Sequence, residues 1–208
     1  MSEQVCWIKS KESHKQNVTG EMKQVVGRED GTLHRLYQSL LAWPVPIIPA
    51  DQFYKAILHS DDSPLGLWRA EFVATFVAIL ANCTYARAHH GENFLKVSPT
   101  RRQGIMILTA LENDDLNSPA LDPELRSIAK YTKKLSLEPA CMSEDDISSL
   151  RETGFSEAEI VHINQIAASF AFWVRMINGL GISLGTEQIG MKQESLDNII
   201  KRQRDFFG

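Results

Sequence analysis

Alternating apolar–polar runs, the mark of β-strands, are nearly absent from this chain of 208 residues. Apolar residues recur at helical spacing instead, so an all-α fold is expected. Long apolar runs are also missing. The longest, Phe72 to Ala81, holds ten residues, whereas a membrane span needs ~20. The opening MSEQVCWIKSKESHK has no apolar core of the kind a signal peptide carries, and the expected location is cytoplasmic. Cysteine is scarce: Cys6, Cys83 and Cys141, odd in number and widely spaced. That argues against a secreted disulfide framework and against a Cys-rich zinc site. An excess of positive charge is lacking too, with 22 Lys and Arg against 26 Asp and Glu. No basic face for nucleic acid is therefore expected.

What is present suits a helical core, since 43% of the residues are hydrophobic. Residues 1–30 read as a polar N-terminal arm, with Cys6 on it. Residues 31–208 read as one all-α domain. Its first half carries a reactive site, and its second half spans about residues 120–185. Leu33, Leu36, Tyr37, Leu40 and Leu41 form one helix face, and Pro44, Pro46 and Pro49 end it with an extended connector. A short helix is expected over 51–60, and the most apolar helical segment over Leu67–Lys96. A further helix covers 100–112. Asp122-Pro123-Glu124 is an N-cap, a first-position proline and an acidic first turn. Ser143 starts the next helix and Gly154 closes it. Ser156 with Glu159 makes a capping box for a long helix ending at Gly179 and Gly181. A last helix runs from about 191 to 206, with an apolar end suited to a partner subunit. A shift of 88 residues superposes Ala70, Glu71, Val73, Arg87 and Gly91 on identical residues, which is compatible with two similar helical halves.

Chemistry concentrates around Cys83. Asn82 is a good N-cap residue, so a helix restarting at Cys83 would place the thiol beside free N–H groups and lower its pKa. Cys83, Arg87 and His90 follow the i, i+4, i+7 rule and would share a face. His90 would then accept the thiol proton. Glu71 would lie ~120° off that face on one straight helix. It reaches His90 only if the chain bends at Ala81–Asn82. The plain alternative is a buried structural cysteine and a helix-terminal histidine. A metal site is weaker still, because one cysteine with His89 and His90 lacks the usual ligand set. No metal and no cofactor are expected.

These residues resemble the carboxymuconolactone decarboxylase / alkylhydroperoxidase D superfamily, in its peroxidase-related branch. That pattern has a Glu, then about a dozen residues on a Cys-x-x-Cys, then a His four after the second Cys. Glu71, Cys83 and His90 fall on the first, second and last of these, and Tyr85 and the His89-His90 pair also match. The stretch LDPELRSIAKYTKKLSLEPACMSEDDISSLRETGFSEAEI looks like the family's second half, so the resemblance covers about residues 30–190. It implies an all-α bundle that assembles as dimers, trimers or hexamers. One departure matters: the second cysteine is Ala86, so the family's disulfide cannot form. The remaining Cys-x-Tyr-x4-His resembles the single-cysteine site of the sestrins.

The resemblance implies a one-cysteine thiol peroxidase of peroxiredoxin type. Cys83 would attack a hydroperoxide, His90 polarised by Glu71 would move protons, Tyr85 would orient the peroxide, and an external thiol would recycle the sulfenic acid. A second expectation is a redox-inactive scaffold or ligand-binding oligomer. A third is a lyase of the lactone-decarboxylating kind, which works by acid–base groups.

Overall fold

The computed structural model describes residues 4–9, 18–28 and 32–207. Among the described residues ten α-helices follow one another with no strand, only an isolated antiparallel bridge between Gly27 and Leu33. The helices are α1 Gly20–Val25, α2 Arg35–Ser39, α3 Ile47–Leu58, α4 Gly66–Leu80 and α5 Thr84–Val97. There follow α6 Arg101–Glu112, α7 Pro123–Leu137, α8 Glu144–Glu152, α9 Glu157–Leu180 and α10 Gln193–Phe207. A short 3-10 turn over Pro139–Cys141 joins α7 to α8.

At the centre lies α4. Ten of its fifteen residues are buried, on every side of the helix, as expected of a helix apolar all round. It packs against α5, α7 and α9. By length and composition α9 also suits a membrane span, but Ile163, Ile166, Ala167, Phe170, Val174 and Ile177 bury its apolar face in the core.

Cap chemistry sets most boundaries where the sequence places them. Asp122 accepts from the Leu125 N–H, Pro123 takes the first position of α7, and Ser143–Asp146 and Ser156–Glu159 form capping boxes. Two boundaries differ. Expected from residue 51, α3 begins at Ile47 and contains Pro49 in its first turn, where no intrahelical N–H is required. Gly179 stays inside α9, and Gly181 alone closes it with φ +61. There a Cβ would run into the Trp7 indole ring. The internal echo is unequal as well: α4 and α5 are separated at residues 81–83, whereas α9 runs on unbroken.

The N-terminal stretch packs onto the bundle. Cys6, expected on a tail, is buried in the main core, and Met22 and Val26 pack with Leu33, Tyr37, Leu41 and Ile47. Trp7 N donates to Leu180 O at 2.8 Å and Ser183 N donates to Val5 O at 3.0 Å. Residues 5–7 are therefore tied to the C-terminal end of α9 and the residues just after it.

Candidate functional site

The bend required between Glu71 and His90 is present. Helix α4 ends at Leu80 with Ala81 as its C-cap, Asn82 adopts a left-handed φ of +49, and α5 starts afresh at Thr84. Asn82 is therefore the hinge, and Cys83 takes the N-cap position expected of Asn82. The re-aimed α5 brings His90 Nδ1 to 2.8 Å from Glu71 Oε2. Glu71 is fully buried, and its other oxygen accepts from Asn93 Nδ2 at 3.0 Å. Both carboxylate oxygens are thus engaged, and His90 is held by its Nδ1. Its Nε2, free of any hydrogen bond among the described residues, is left for chemistry. The His90 ring also meets Phe170 edge-on, with centroids 4.6 Å apart.

His90 lines a cavity of about 260 Å³, together with Tyr54, His59, Ala86, Phe170 and Trp173. Ala86 precedes His90 by one turn of α5 and so shares its face. Cys83 is not among the lining residues. It is 1% exposed and makes no capping hydrogen bond. The expected lowering of its pKa is reversed: burial pushes the thiol up, more than the backbone N–H groups of Ala86 and Tyr85 pull it down. Arg87, expected to add positive charge on the Cys83 face, is exposed and pairs with Glu112 instead. An N-cap residue lies outside the helix proper, so the i, i+4, i+7 rule does not extend to Cys83. Cys141 is exposed, and all three cysteines are free.

Tyr85 is buried and donates to Glu187 Oε1 at 2.6 Å. Burial and that carboxylate raise its hydroxyl far above the usual tyrosine range, so it stays protonated. Glu187 gathers a ring of donors: Arg28 Nη1 and the Arg35 backbone N–H, both at 3.2 Å, with His34 Nδ1 at 3.5 Å and His89 Nε2 at 3.4 Å. Burial works to raise its carboxyl, but the hydrogen bonds from His34, His89, Tyr85 and Arg35 hold it well below the usual range. His89 Nδ1 accepts from the Gly190 N–H at 3.2 Å, which places its proton on Nε2, facing Glu187. Asn93 accepts from the Met191 N–H at 2.7 Å. Through these contacts the segment around Glu187–Met191 is laid over the cavity, which Gly190 and Met191 help to line.

Sequence reasoning misses Glu187, Asn93, Tyr54, His59 and Trp173. Asn93 follows His90 at i+3, so helical spacing alone places it near Glu71 once His90 is there. Nothing in the sequence marks the others. Glu187 stands 102 residues from Tyr85 on an irregular stretch, and Tyr54 and His59 reach the cavity from the end of α3.

No family model matches the chain, and no curated protein matches its sequence. Solved structures do match. A protein from Ralstonia eutropha JMP134, described as an alkylhydroperoxidase AhpD core and an uncharacterized peroxidase-related protein, aligns with a TM-score of 0.69 at 16% identity. The alignment covers 98% of each chain. An uncharacterized peroxidase-related protein from Silicibacter sp. TM1040 aligns at 0.69 and 17% identity, over 87% of this chain and 92% of its own. The debrominase Bmp8 aligns at 0.63 and 14% identity, over 96% and 97%. The chain has the all-α fold of AhpD-like proteins.

Proposed function

We propose that the cavity of this AhpD-like chain is an enzyme site for a small molecule, worked by proton transfer at His90 rather than by a thiolate at Cys83. One observation carries this. Glu71 and Asn93 fix the His90 ring against the cavity, while the neighbouring position on the same face of α5 is the inert Ala86. A buried carboxylate bonded to Nδ1 sets the tautomer and orientation of an imidazole and steadies the imidazolium formed when Nε2 takes a proton. Such a positioned base contributes typically ~10²–10⁴-fold to a rate. The cavity walls are mainly apolar and aromatic, the setting in which small molecules bind. Structural neighbours differ in what their names record, from peroxidase-related proteins to a debrominase seen with 2,3,4-tribromopyrrole. The fold is thus compatible with more than one chemistry.

Cys83 peroxidase chemistry is the second reading. It is favoured by the closeness of Cys83 to Tyr85 and Ala86, which line the cavity and whose N–H groups favour the thiolate. In that reaction the Cys83 sulfur bonds to one peroxide oxygen, the O–O bond breaks, the alkoxide takes a proton and a sulfenic acid remains.

One paired experiment separates the two. Protein is mixed with cumene hydroperoxide and a dimedone probe, and in parallel with a β,γ-unsaturated lactone in D2O, followed by proton NMR. The expected result is no labelling at Cys83 in the folded protein, and deuterium exchange next to the lactone carbonyl. Exchange should fall by about 10²–10⁴ in His90→Gln and persist in Cys83→Ser. Rapid sulfenic acid trapping at Cys83, or loss of exchange in Cys83→Ser as complete as in His90→Gln, would reverse the order of the two readings.

A further inference from the structure

Around His90 the cavity wall is a cluster of aromatic rings. Tyr54 stands at its centre, with centroid separations of 5.1 Å to His59, 6.1 Å to His90, 6.3 Å to Trp173 and 6.4 Å to Phe170. All five rings line the cavity. Two of them keep a buried ring nitrogen with no hydrogen-bond partner among the described residues, His59 Nε2 and Trp173 Nε1. Trp173 is 4% exposed. Buried polar atoms are overwhelmingly paired, and these two orphans belong to residues that line one cavity. An indole N–H only donates, and the atom it lacks is an acceptor.

The charges around the cavity are already matched. Asp51 is held by the Tyr37 hydroxyl at 2.5 Å and by Lys55 at 2.8 Å. Glu71 and Glu187 have the partners described above. Burial lowers the His59 pKa to about 4, so His59 is neutral at pH 7. Burial also raises the Tyr54 hydroxyl, which keeps its proton. Among the described residues an anion would find no unmatched cation here, and an uncharged molecule would lose little on leaving water. A volume of about 260 Å³ corresponds to the space of roughly nine waters at ~30 Å³ each. That is room for one substituted ring.

We propose that this aromatic wall binds a flat, uncharged, single-ring molecule through one hydrogen-bond acceptor, taken by Trp173 Nε1–H, with the ring seated on Tyr54 and Phe170. His59 Nε2 serves a second polar group on the same ring. The inference deepens the proposed function, on which it rests, by naming the substrate class of the His90 site.

The test uses three probes of similar shape: acetophenone, ethylbenzene, which has no acceptor, and benzoate, which is charged. The protein is labelled with 15N-tryptophan. Its four indole signals are assigned from the variants Trp7→Phe, Trp43→Phe and Trp68→Phe. Acetophenone should shift the Trp173 indole N–H signal saturably, with ethylbenzene and benzoate about tenfold weaker or more. Trp173→Phe should weaken acetophenone about five- to tenfold, the scale of one net hydrogen bond. Equal binding of ethylbenzene, tighter binding of benzoate, or an unmoved Trp173 signal would overturn the proposal, and the signal is read in native protein whether or not Trp173→Phe folds. Failure of the two ideas is distinguishable. Bound acetophenone without His90-dependent lactone exchange defeats proton transfer alone, and exchange with an unmoved Trp173 signal defeats the substrate class alone.

Discussion

Ala86 carries no functional group, yet it decides what the neighbouring residues can do. It lines the cavity on the face of α5 that carries His90, whereas Cys83 is buried at the N-cap. Ala86→Cys is therefore expected to raise peroxide reactivity above that of the natural chain. Incubation with cumene hydroperoxide should consume two thiols per chain, the new one and Cys83, and dithiothreitol should sustain turnover. A variant with no gain over the natural chain would show that the cavity does not admit peroxide to that position. His59 offers a pH signature. Its folded pKa of about 4 lies below the ordinary 6.5, so the unfolded chain binds the proton first as pH falls. Its contribution to stability is complete above about pH 6.5 and declines until about pH 4, by up to ~3 kcal/mol at ~1.4 kcal/mol per unit. In denaturant titrations the natural chain should lose this stability between about pH 6.5 and pH 4, whereas His59→Gln, which does not titrate there, should not, so the two separate in this one term as pH falls. At this scale the sequence is legible only where a known pattern names the residue. Glu71 and His90 stand out by spacing from Cys83. Trp173 and Tyr54 do not, because an aromatic residue on a helix face looks the same whether it fills the core or lines a cavity.

The break between α4 and α5 does for the site what no single side chain does, because it turns Glu71 and His90 toward each other. It depends on one residue in the left-handed region, Asn82 at φ +49. Asn82→Gly should be tolerated and Asn82→Val should cost about 1–2 kcal/mol, the penalty of a β-carbon in that conformation. Thermal melting with His90-dependent exchange as a second readout checks both the fold and the alignment. On α9, Phe170 supports the His90 ring and is 2% exposed. Phe170→Ala should destabilise by about 3–5 kcal/mol, read from urea midpoints. Helix starts at Pro123, Glu144 and Glu157 are legible because Asp122, Ser143 and Ser156 each satisfy orphan N–H groups by local rules. Asn82 misleads for a related reason. Asparagine suits both an N-cap and a left-handed turn, and only the direction of the next helix decides between them.

Across the whole molecule, Glu187 joins parts that are remote in sequence: Arg28, His34 and Arg35 from the first forty residues, and Tyr85 and His89 from α5. Glu187→Gln should loosen these together. Amide hydrogen exchange would rise in residues 4–9, 25–28 and 183–191, with α4 and α9 unchanged. Uniform exchange in variant and natural chain would mean that packing alone holds the roof. The folded carboxyl is held below the usual carboxylate range, so its contribution is complete above the unfolded value of about 4.3 and fades as pH falls through the lower folded value. None of this was legible beforehand. Residues 1–30 read as a polar arm because their apolar residues show no sustained period, and the burial of Cys6, Met22 and Val26 depends on partners far along the chain.

The position of that roof also sets a schedule. The proton-transfer pair is complete once residue 93 has been made, but the stretch that covers it arrives about a hundred residues later. At ~5–20 residues per second, a growing chain would carry an uncovered His90 site for on the order of 5–20 s. For most of that interval the aromatic wall is unfinished as well, because Phe170 and Trp173 are made only with α9.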